Sequence, residues 1–221
     1  MSLLTPWALL SKDFDDLSNE IRIFVIQRKA TIAGAADFSL ADECFLEGAL
    51  SRCWQVWCVF CRSVVCQSCL GTTRANGTII SAHVEALTEA HVAGAAKKAK
   101  STHNPPTWGS VQNVLRNEIT WGDTDVLATI LPLMAPQNAG QLLAAFSQAH
   151  RSAKNMQTIR NAAAHSNAEN FAAVIALSSR FVTYHVTHPV QALFWTEPSS
   201  GNFIVLEMIE DLRDNAFIAI S

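Results

Sequence analysis

At 221 residues, with 49% hydrophobic and 16% charged side chains, the chain has enough apolar mass for one domain plus a small appendage, and too much for disorder. A net charge of −3 and a pI near 6.1 exclude a globally basic nucleic-acid binder, so any phosphate contact must come from a local patch of Lys and Arg. The longest apolar stretch, Phe45 to Leu70, is interrupted by Glu47, Arg52, Gln55, Arg62 and Gln67, whereas a membrane span stays apolar for about 20 residues.

Met1 to Leu10 is apolar but short, lacks a basic leader and runs into Asp13, Asp15 and Asp16. It does not read as a signal peptide, and a cytosolic setting is expected. Asp13 to Lys29 places Phe14, Leu17, Ile21 and Phe24 at spacings of three and four, which predicts an amphipathic helix. Thr31 to Phe38 reads as a small-residue linker. Ser39-Leu40-Ala41-Asp42 then has the form of a helix start, with Ser39 as N-cap and an acid three residues on. The helix that follows carries Phe45, Leu46, Ala49, Leu50, Cys53, Trp54, Trp57, Cys61 and Val64 on one stripe and should end before Gly71.

Gly71 to Gly77 reads as a loop with an Asn76-Gly77 turn. A helix is expected from about Ser81 to Lys100, stopped by the Pro105-Pro106 break. Two or three shorter helices should occupy Trp108 to Ile130 and Pro136 to Ala164, with another from Asn167 or Ala168 through Ser179. Gln191 to Thr196 and Asn202 to Leu206 flank Pro198-Ser199-Ser200-Gly201, a hairpin signal, before a last short helix near Glu207 to Asn215. The expected fold is mostly α. A helical bundle spans residues 1–190, and 191–221 adds a small C-terminal β-hairpin and short helix to the same domain.

Cys58-Val59-Phe60-Cys61 and Cys66-Gln67-Ser68-Cys69 form two CxxC pairs, a pattern used for zinc. If this run is helical, Cys58 and Cys69 lie about 16 Å apart by the helical rise. One tetrahedral ion with bonds near 2.3 Å cannot span that distance, so packing as small buried hydrophobes is expected and no metal site is assigned. The histidines, including His83, His91, His185 and His188, stand beside no carboxylate or thiol at a recognised ligand spacing. P-loop, GxGxxG and GxSxG patterns are missing, which removes the kinase, dinucleotide and hydrolase-elbow classes. No cofactor is expected.

Arg160-Asn161-Ala162-Ala163-Ala164-His165 sets a permanent cation and a titratable imidazole in an alanine-rich helical segment. The guanidinium offers planar donors suited to phosphate, and an imidazole transfers protons in both directions near neutrality. Asn161 and His165, four apart, share a helix face, where the amide would orient the ring. Arg160 and His165 are five apart, about 140° around a regular helix. Joint action on one phosphate therefore needs a kink, a helix end or a second copy of the chain.

This hexapeptide resembles the R-x4–6-H signature of the HEPN superfamily, in its form with a polar residue after the arginine. The order of helices before the motif, Ser166-Asn167 and a helix after it, and a short strand-forming tail is similar to RiboL-PSP-type HEPN nucleases. The likeness covers roughly residues 10–220 in layout and is specific around 156–167. It implies a metal-independent endoribonuclease, in which His165 transfers protons, Arg160 stabilises phosphoryl charge and Asn161 holds the ring or contacts phosphate. A supporting polar residue on an earlier helix is expected from the family, with Glu47 as candidate. Paired motifs across a cleft imply a homodimer, and the family suggests a toxin, phage-defence or RNA-processing role, with an antitoxin or nucleotidyltransferase as a further partner. Lys97, Lys98 and Lys100 near the Pro105-Pro106 break, and Arg151 and Lys154 before the motif, are candidate RNA contacts. The other reading is a non-catalytic helical module for dimerisation or binding.

Overall fold

Thr88, Asp123 and Asn167 each cap the start of a helix with a side-chain oxygen. The computed structural model describes residues 1–34, 38–165 and 167–221, and these are mainly helical. The helices are α1 (Leu4–Gln27), α2 (Lys29–Ala33), α3 (Leu40–Leu70), α4 (Glu89–Thr102), α5 (Thr124–Met134), α6 (Ala139–Gln148), α7 (His150–Ala164), α8 (Ala168–Leu177) and α9 (Ile204–Ile220). The strands β1 (Thr72–Thr73) and β2 (Ile79–Ile80) form one antiparallel hairpin. No described helix is long and apolar enough to cross a membrane.

The described residues gather into two compact units. One comprises Met1–Ser11, Val56–His150 and Arg213–Ser221; the other comprises Lys12–Gln55 and Arg151–Leu212.

In the first unit, Trp57 is fully buried, stacks on Phe60 and meets Phe146 edge-on, while its indole N–H donates to the Gly122 carbonyl at 3.1 Å. The expected Gly71 to Gly77 loop is the core of the hairpin. Gly71 and Gly77 adopt φ of 88° and 86°, the left-handed region that glycine reaches without a steric penalty, and Asn76 Oδ1 accepts from Thr78 N. Strands of two residues leave too short a period-2 pattern to be read from sequence.

Helix α4 begins at Glu89, not near Ser81. Thr88 is its N-cap and accepts from His91 N, while Ser81 N and His83 N donate instead to Gln137 Oε1 and the Cys69 carbonyl. Tertiary partners override the helix-forming composition there. The end falls close to where expected, at Thr102, three residues before Pro105, with His103 in the left-handed conformation. The helix expected across Trp108 to Ile130 is instead one 3-10 turn, Trp108–Ser110, an irregular stretch, and then α5 from its Asp123 cap. Val114 N donates to the Ala90 carbonyl, and Glu118 takes Arg62 and the Trp121 indole, so this segment is held by partners elsewhere in its unit.

In the second unit, the Ser39 start is as read. Ser39 Oγ accepts from Asp42 N at 3.3 Å, Ser39 N donates to Asp42 Oδ2 at 3.2 Å, and Arg28 Nε reaches Asp42 Oδ1 at 2.7 Å. Burial alone would raise the Asp42 carboxyl, but the bonds from Ser39 and Arg28 outweigh it and hold the group below its ordinary range. Of the expected linker, Thr31 to Ala33 lies in α2, and residues 35–37 lie outside those described. Phe24, Phe38, Phe45, Phe194 and Phe203 form an aromatic cluster with neighbouring ring centroids 5.1–5.9 Å apart.

The small hairpin is therefore at 72–80 and not at the C-terminus. Pro189–Phe194 is a buried 3-10 helix capped by His188, with the Gln191 side chain accepting from the amides of Thr187 and His188. Thr196 makes single bridges to Val182 and, across the 198–201 turn, to Phe203. A short apolar run bounded by turn residues reads alike for a strand and a buried helical turn, and Pro189, at the first helical position, favours the latter. The final helix is longer than expected, because Ile204, Met208, Ile209, Leu212, Ala216, Ala219 and Ile220 continue one buried stripe.

Candidate functional site

Helix α7 buries Ala153, Met156, Ile159 and Ala162, three residues apart, which places Arg160 and Asn161 on its half-buried flank. The helix stops at Ala164, and His165 lies just past its end with an exposed side chain. His165 N donates to the Asn161 carbonyl at 2.9 Å, completing the last turn. The His165 carbonyl accepts from Asn167 N at 2.8 Å and from Asn170 Nδ2 at 3.1 Å. Asn167 Oδ1 in turn accepts from Asn170 N and caps α8. The backbone at His165 is thus fastened from both sides while its ring faces solvent. Ser166, which follows the motif directly in sequence, lies outside the described residues.

Because the helix ends between Arg160 and His165, the regular-helix angle no longer fixes where the imidazole stands. Asn161 takes a different partner from the one expected. Its Oδ1 accepts from Arg160 Nη1 at 3.1 Å, so among the described residues the amide orients the guanidinium and not the ring. Arg160 Nε is buried without a bond among the described residues.

The remaining candidates are distributed elsewhere. Glu47 on α3 pairs with His188, Oε1 to Nε2 at 3.4 Å, and His188 Nδ1 accepts from Val190 N at 3.4 Å. Its described partner is therefore the cap of the 189–194 turn, not the motif. Arg151 is engaged by Glu197 at 3.2 Å and lies 5.4 Å from the Phe181 ring centroid, and Lys154 Nζ donates to Gln157 Oε1. Lys97, Lys98 and Lys100 are exposed on α4, in the first unit.

Both CxxC pairs fall on the continuous helix α3. Cys53, Cys61, Cys66 and Cys69 are fully buried. Burial pushes the Cys53, Cys66 and Cys69 thiols up to about 12 and raises Cys61 well above its ordinary value. Thiols kept protonated in this way are poor nucleophiles and poor metal ligands.

Two features were not anticipated. Arg62 bonds Glu118 through Nε and Nη2 and Glu89 through Nη1 at 2.6 Å. Glu118 would be raised by burial, but Arg62 and the Trp121 indole lower it overall. No spacing rule links residues so far apart in the chain. The second is the close passage of residues 111–112 over Gly94, for which a glycine inside a helical pattern was the available signal. Comparison with family models, curated proteins and solved structures returned no match to this chain.

Proposed function

We propose that this chain is a HEPN-like, metal-independent endoribonuclease that acts as a homodimer in the cytosol. The reading rests on one observation above all: His165 stands exposed immediately beyond the end of α7, five residues after a guanidinium steadied by Asn161. In the proposed reaction one imidazole takes the proton of a ribose 2′-hydroxyl as its oxygen bonds to the adjacent phosphorus. The P–O5′ bond breaks, a second imidazole returns a proton to the leaving oxygen, and Arg160 balances charge gathering on the non-bridging oxygens. The products are a 2′,3′-cyclic phosphate and a 5′-hydroxyl end.

One chain offers one such motif, so acid and base come from two copies of His165 meeting across a two-fold axis. A toxin or defence effector fits this chemistry, with an antitoxin or nucleotidyltransferase partner that masks or modifies the exposed end of α7.

The test is cleavage of RNA in EDTA. His165→Ala should lower the rate by about 10²–10⁴-fold and Arg160→Ala by about 10²–10³-fold, with helical circular dichroism unchanged. Undiminished cleavage by both variants, or no cleavage by the parent, removes the nuclease assignment. In the second case the dimerisation module is the surviving reading, which the occupied Asn161 amide favours.

A further inference from the structure

A groove of about 430 Å³ opens on the first unit between α4 and the chain that follows the 108–110 turn, lined by Lys97, Lys98, Ser101, Ser110, Gln112 and Val114 among others. Gly94 makes the groove possible. A Cβ there would lie 2.0 Å from the Gln112 carbonyl oxygen and 2.8 Å from Val111 Cγ1, so only glycine lets residues 111–112 press against the helix. The Val114 N–H, donating to the Ala90 carbonyl at 2.9 Å, ties the same stretch down further along.

The lining holds two ammonium groups and no carboxylate. The net charge of the chain is −3, so a wall with cations and no carboxylate runs against its overall sign. Lys97 and Lys98 have no ion pair among the described residues, and Lys100 follows two positions on. Attraction to the C-terminal end of α4 explains lysines there in general. It does not explain a concave, carboxylate-free wall formed on a glycine. The two serine hydroxyls donate to backbone carbonyls, Ser101 to Lys98 at 3.0 Å and Ser110 to Thr107 at 2.9 Å. The donors left to a ligand are therefore the two lysines and the Gln112 amide.

We infer that this groove binds a phosphate group, either free or carried in a nucleic-acid backbone. Lysine recognises phosphate as a compact charge without a demand on geometry, which suits a shallow site open to both sources. The inference does not need the nuclease reading, because it concerns another unit and is read by binding.

The experiment uses the full chain. Amide NMR follows titration with pyrophosphate. Fluorescence anisotropy follows a labelled uridylate octamer in EDTA, with His165→Ala as the parent so that no cleavage intervenes. Shifts centred on residues 94–114 and a drop of about tenfold or more in affinity for Lys97→Gln/Lys98→Gln are expected, with Lys12→Gln unchanged. Both lysines are exposed, and circular dichroism checks that the double variant keeps its fold. Pyrophosphate alone binding identifies free phosphate as the source; octamer binding with a salt slope reduced in the double variant identifies the backbone. Binding that the double variant leaves intact, or no binding of either probe, overturns the inference, and the cleavage assay stands or falls separately.

Discussion

Gly94 and Gln112 approach so closely that a single methyl group at position 94 would meet the Gln112 carbonyl oxygen at 2.0 Å. Backbone cannot yield as a flexible side-chain tip does, so Gly94→Ala must push the 111–114 segment away from α4. A loss of about 1–3 kcal/mol in urea unfolding is expected. Gly48, inside α3 with nothing within 4 Å of its missing Cβ, gives the opposite sign: Gly48→Ala should stabilise by about 0.5–1 kcal/mol through helix propensity. If both changes prove neutral or share a sign, the close approach is wrong.

Asp42 couples the start of α3 to pH. Its carboxyl, ordinarily near 3.8, is depressed in the folded state by Ser39 and Arg28 against the opposing effect of burial. A depressed folded value means the contribution is complete above the unfolded value and disappears as pH falls through the folded one. Asp42→Asn should therefore cost about 1–2 kcal/mol at pH 7, from the cap and the Arg28 bond together. The difference between parent and variant in urea midpoint should shrink as pH drops below about 4. A gap that stays constant from pH 7 to pH 3 would show that charge at Asp42 plays no part.

Thiol reactivity should follow burial. Of the six cysteines, Cys44 is exposed and Cys58 half-buried, whereas Cys53, Cys61, Cys66 and Cys69 are sealed in the core. With Ellman's reagent at pH 8 the native protein should show a fast phase that Cys44→Ser abolishes. The four buried thiols should react only in denaturant, since burial holds them protonated. Rapid loss of four or more thiols in native buffer contradicts the packing of α3.

The parts of the fold legible in sequence are those set by neighbours along the chain. The Ser39 and Asp42 cap, the stripe from Leu46 to Val64, the stop at Gly71 and the Asn167 cap all follow from residues within four positions of each other. What was misread depends on distant partners: Cys69 and Gln137 take the amides that would have begun α4 at Ser81, and Arg62 draws Glu118 out of a helix. The same division runs through the site. Position in sequence placed Arg160, Asn161 and His165 around one helix end, but only coordinates could show that Asn161 turns to Arg160 and that Glu47 belongs to His188.

A composite site makes a sharper demand than loss of activity in single variants. In the two-fold dimer proposed above, acid and base are the two copies of His165, so a dimer with a single imidazole lacks one of them. Mixing parent and His165→Ala chains, after dissociation and reassociation, yields such heterodimers beside the two homodimers. Activity should then fall with the square of the parent fraction, to about a quarter in an equal mixture, because only parent homodimers hold both imidazoles. A site complete within one chain predicts something different: activity would fall in direct proportion to the parent fraction, to about a half in the same mixture. Light scattering on the same samples shows whether the chains are dimeric, so a dimeric mixture whose activity falls in direct proportion would remove the shared site.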